Sequence, residues 1–168
     1  MSGLIDDVQS SLLKRTMEKA EASLPPKYQR GYHAIMAAGL KLMFDRGTFR
    51  YTEEYLRSVK SPQDVPRIVA HGIVKLISMI FNSTKGRMPL EPSGTAAIVL
   101  MCHALEYVER EMQLPITPGL LAQTTHLVSQ GLALFLKQAK KMSDEDFQKV
   151  LNPKRPAQGR PASTQGAA

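Results

Sequence analysis

Residues 65–81, VPRIVAHGIVKLISMIF, decide the fold. Val65, Ile68, Val69, Gly72, Ile73, Leu76, Ile77, Ile80 and Phe81 return every three or four positions, the ~3.6-residue period of an α-helix with one apolar side. The other side carries His71, Lys75, Ser78 and Asn82. Ser61 or Asp64 opens the helix, since a short oxygen-bearing side chain can accept from a first-turn amide. A half-buried strand needs strict alternation, and no such run occurs along the chain.

The same period extends both ways. Upstream, Thr52 reads as the cap of a short helix with Glu53 and Glu54 in its first turn and Tyr55, Leu56 and Val59 inward. Before it, Tyr28, Tyr32, Ile35, Met36, Gly39, Leu40 and Met43 share a face, and Gly47 suits a left-handed helix terminus. The first stripe runs Leu4, Ile5, Val8, Leu12, Leu13, then Met17 and Ala20, until Pro25 and Pro26 stop it. Downstream, residues 82–93 form a link rich in turn residues. The helix over residues 92–112 is apolar almost all round from 96 to 105, which places it centrally in a bundle or at a subunit contact. Thr117 and Pro118 start the next helix, with Ile116 stapled to Leu121. That helix reaches about Lys141, and its segment 121–129 fits one continuous helix better than a helix-turn-helix. Ser143 with Asp146, and Met142 against Phe147, open a last short helix ending near Leu151. The predicted fold is all-α: a bundle of four to five main helices with short extra helices. Residues 1–151 form a single domain. Residues 152–168 form a flexible basic tail containing Pro, Gly and Arg, with no acid and no aromatic.

Composition narrows the function classes. The chain has 168 residues, enough for one compact domain, and 43% of them are hydrophobic, too many for wholesale disorder. No run approaches the ~18 apolar residues of a spanning helix. Asp6 and Asp7 stand where a secretory signal would carry bases, so no signal peptide is expected. The single cysteine, Cys102, rules out an intramolecular disulfide framework and any Cys-pair zinc site.

Enzymatic patterns are missing. Gly86 and Gly94 do not form a phosphate loop, and Ser93-Gly94 lacks the strand and spacing of a nucleophile elbow. His33, His71, His103 and His126 fall one per helix. His103 with Glu106 reverses the Glu-x-x-His order of carboxylate-bridged di-metal bundles. No catalytic residue, metal ligand or cofactor site is expected. A formal charge of +7 favours nucleic acid weakly, with Lys154, Arg155 and Arg160 as the candidate contacts. Small residues at helical spacing, Gly31, Ala34 and Ala38 on one stripe and Gly94 with Ala97 on another, allow close helix contact. Gly94, Ala97, Val99, Met101 and Leu105 are therefore the candidate self-association residues.

One ordered set of features goes further. MPLEP at residues 88–92, Ala96-Ala97 and Val99-Leu100, and ALEYVE at 104–109 lead into ITPGLLA at 116–122. This order, over about residues 86–136, resembles small helical proteins encoded among the structural genes of short-tailed bacteriophages, several of them internal virion proteins released with the DNA. The resemblance implies a non-enzymatic virion component, made in the host cytoplasm, self-associating, and contacting portal or tail proteins. It also implies ejection with the genome to help DNA cross the host envelope, with membrane contact after assembly and DNA contact through the basic tail. The alternative is a small basic nucleic-acid-binding or regulatory helical protein.

Overall fold

The structure, a computed structural model, describes residues 2–139 and 145, with side chains from residue 12 onward. Among them are six α-helices and no strand: α1 (Ser2–Ala22), α2 (Gln29–Phe44), α3 (Phe49–Arg57), α4 (Val65–Ser83), α5 (Ser93–Met112) and α6 (Pro118–Gln138). The all-α bundle is thus as the hydrophobic spacing predicts. Five helices are long and α3 is short. The expected short helix ending near Leu151 and the whole of residues 152–168 lie outside the described residues.

α5 is the hub, touching α1, α2, α4 and α6. Leu100, Met101, Cys102 and Leu105 are each fully buried, on different sides of the helix. That explains its nearly continuous apolar sequence: with neighbours all round, no face needs a polar coat. Each such large side chain withdrawn from water stabilises by about 1.5–3 kcal/mol. α4 runs along α6 and also meets α2, α3 and α5, so its predicted apolar stripe is buried from Val65 to Ile80.

Two glycines let helices approach. A Cβ on Gly39 of α2 would sit 2.7 Å from Leu100 Cδ1 of α5, and one on Gly131 of α6 would sit 2.8 Å from Val74 Cγ2 of α4. Caps fix the helix starts. The Thr117 hydroxyl accepts from Leu120 N at 3.1 Å, with Pro118 in the first turn. Ser61 and Asp64 act together: Asp64 Oδ2 accepts from the amides of Lys60 and Ser61 at 3.1 and 3.2 Å, closing a tight turn that feeds α4.

Two local expectations are corrected. α3 starts at Phe49, so Thr52 lies inside the helix and does not cap it. The cause is Phe49, whose ring stacks on Phe44 and meets Tyr107 edge-on, drawing one more turn into the helix. Glu53 and Glu54 then pair along the helix with Arg57 at 2.6 Å and Arg50 at 2.9 Å. Gly47 does not adopt a left-handed conformation. α2 ends where Asp45 turns extended, and the chain is reversed by Thr48 and Phe49 amides donating to the Asp45 carbonyl. Left-handed residues instead end α4 (Lys85 at φ 53° and Gly86 at φ 77°) and α5 (Gln113 at φ 54°).

Candidate apolar cleft between α3 and α4

The turn at residues 45–48 folds α3 back from the end of α2 across the outer flank of α4. The far end of α3 is pinned. The Tyr55 ring lies on Gly72, where a Cβ would come within 3.0 Å of it, and the Tyr55 hydroxyl is hydrogen-bonded to His71 Nδ1. Gly72 thus belongs to the apolar period of α4 because it seats an aromatic ring. Burial raises the Tyr55 pKa against the opposing pull of Arg67, so the phenol stays protonated and able to donate.

Beyond this pin, α3 and α4 enclose a cleft of about 330 Å³, backed by Met43 of α2 and Ala104 of α5. Its floor is core: Leu56, Ile73 and Leu76 are all buried. Its mouth is different. Tyr51 is 72% exposed and Met79 48% exposed, although both are large and apolar. Among the described residues Lys75 is the one charged residue lining the cleft, and it stands one helical turn from both His71 and Met79. An interior this apolar, with one cation and two threonines (Thr48 and Thr52) at its edge, is suited to holding a molecule by burial.

The candidate self-association residues lie elsewhere. Ala97, Val99, Met101 and Leu105 are buried within the single chain, at 2% exposure or less, so they have no side-chain surface left for a second copy. Gly94 differs: a Cβ there would meet nothing within 4 Å among the described residues outside its own helix turn. On the other small-residue stripe, Gly31 packs on Pro89 and Pro92, whereas Ala34 is exposed. Lys154, Arg155 and Arg160 lie outside the described residues.

The histidines stay apart. His71 belongs to the Tyr55 pin, His103 Nδ1 is 3.6 Å from Glu106 Oε2 within α5, and His33 leans on the ring of Tyr32. No three His, Cys, Asp or Glu side chains converge as a metal set among the described residues. Cys102 is fully buried, and burial, aided by the Glu106 charge, pushes its thiol up to about 12. No helix among the described residues is long and apolar enough to cross a membrane.

The cleft is the feature that periodicity does not reveal. Tyr55 reads as inward and Lys75 as solvent-facing, and Lys75 is exposed, yet both line one opening. The available signal was Gly72, a glycine in an otherwise bulky apolar stripe, which marks a close neighbour. No protein-family model, curated protein or solved structure matches the chain.

Proposed function

We propose that this chain is a non-enzymatic contact protein, a bacteriophage virion component that works by burying apolar surface. The single observation supporting a binding role is the α3–α4 cleft, an apolar recess with a buried floor that leaves Tyr51 and Met79 in water. Large apolar side chains at the mouth of a recess mark a place where something apolar docks. The order of features over about residues 86–136 supports placing the protein in the particle. There it self-associates, meets portal or tail proteins, and leaves with the genome to act at the host envelope.

Light scattering of the full chain over a concentration series, with a parallel flotation assay on phospholipid vesicles, tests this. The expected result is a mass that rises above the 18.6 kDa of one chain, together with vesicle binding. A mass fixed at one chain at every concentration, with no flotation, overturns it.

A net charge of +7, with Lys154, Arg155 and Arg160 close together in the sequence, favours a second reading as a nucleic-acid binder. Deleting residues 152–168 would then lower the slope of log affinity against log salt by up to about 2.7, from three phosphate contacts. Unchanged DNA binding after the deletion, or none before it, removes this reading.

A further inference from the structure

We infer that the α3–α4 cleft binds a single-chain amphiphile with an anionic head, a fatty-acid carboxylate. This names the ligand class for the cleft and rests on its being a binding site.

The floor and the mouth make different demands. Leu56, Ile73, Leu76 and Met43 are all buried and offer contact only to hydrocarbon. A volume of about 330 Å³ is at the small end of ligand sites, which suits one acyl chain better than a branched or multi-ring molecule. The mouth selects charge. Lys75 lines it and is exposed, and among the described residues no carboxylate is ion-paired with it.

The nearest acids on α3 do not cancel that cation, because Glu53 is held by Arg57 and Glu54 by Arg50 along their own helix. An amphiphile entering tail-first leaves its head beside the Lys75 ammonium. A carboxylate gains there, a quaternary ammonium is repelled, and a neutral alcohol gains only from burial. The Tyr55–His71 hydrogen bond holds α3 on α4 beside the cleft.

Isothermal titration calorimetry on the full chain tests this with hexanoate, octanoate and decanoate, and with octan-1-ol and octyltrimethylammonium for comparison. Affinity should rise about fourfold for each added methylene until the cleft is full. Octanoate should bind more tightly than the alcohol, and the ammonium most weakly. Lys75→Glu, a change at an exposed position, should weaken octanoate about fivefold or more and leave the alcohol unchanged. Thr52→Phe, which places a ring in the mouth, should weaken all of them.

Octanoate binding no tighter than octan-1-ol, or unaffected by Lys75→Glu, overturns the anionic ligand while leaving the cleft a binding site. Failure of every apolar ligand, with a mass that Thr52→Phe leaves unchanged, overturns both. If no ligand binds and Thr52→Phe lowers the mass to that of one chain, the cleft is filled by a second copy and the inference is also overturned.

Discussion

Two glycines that look alike in sequence should respond oppositely to the same methyl group. Gly39 lies within α2 and Gly94 near the start of α5, and both count as small residues in helices. Alanine relieves the conformational cost of glycine in a helix by about 0.5–1 kcal/mol, with the lower end fitting Gly94 in the first turn. At Gly94 nothing among the described residues opposes that gain, because outside its own helix backbone and chain neighbours none of their atoms lies within 4 Å of the new Cβ. At Gly39 the Cβ arrives 2.7 and 2.9 Å from the two methyls of Leu100, which is itself fully buried and has no room to move. Overpacking of this kind costs about 1–3 kcal/mol. The helix term roughly cancels between the two variants, leaving Gly94→Ala more stable than Gly39→Ala by about 1–3 kcal/mol. At about 2–4 °C per kcal/mol for a chain of this length, the Tm values should differ by several degrees. Thermal unfolding followed by far-ultraviolet circular dichroism measures it. Equal Tm values, or a lower one for Gly94→Ala, would refute the packing of α2 on α5. A loss of self-association in Gly94→Ala would assign that residue to a contact between copies.

Three further outcomes follow from the caps and the core. Thr117→Ala removes the acceptor for Leu120 N and should lower stability by about 1 kcal/mol in urea unfolding, with the m-value unchanged; no change would mean that Pro118 alone sets the start of α6. The Lys60 amide, and then the Ser61 amide and hydroxyl, hold the Asp64 carboxyl below its ordinary pKa. Its stabilisation is therefore full above the ordinary carboxylate range and lost as pH falls through the folded value. Asp64→Asn should be less stable than the parent at neutral pH, and the gap should close in acid; a gap constant with pH would refute the cap. Iodoacetamide should label Cys102 only as fast as the fold opens, because its thiol is fully buried and stays protonated at neutral pH. Fast labelling of the native protein would contradict a closed α5.

The sequence exposed the bundle well because each helix announces its buried face by spacing. Val65 to Ile80 on α4 and Tyr32 to Met43 on α2 are buried at the positions their period marks. Residues 96–105 were legible as a central or interfacial helix, but spacing cannot tell a neighbour in the same chain from one in another. The four neighbours of α5 in this chain account for Ala97, Val99, Met101 and Leu105. Local rules failed between α2 and α3, where a tertiary contact, Phe49 against Phe44 and Tyr107, outweighed the capping preference of Thr52 and the turn preference of Gly47. The cleft was hidden for a related reason. It arises from where a two-turn helix lands on a longer one, and that landing depends on the ring of Tyr55 meeting Gly72 and His71 across 16 residues of sequence.

Methionine methyl groups report on the cleft most directly. Met43 and Met79 line it, whereas Met101 and Met88 are buried elsewhere in the core. With the methionine ε-methyls isotope-labelled, titration of the full chain with 1-hexanol should shift the Met43 and Met79 resonances together and leave Met101 and Met88 in place. Shifts confined to other methionines, or none at saturating alcohol, would contradict the claim that this protein receives apolar groups between α3 and α4.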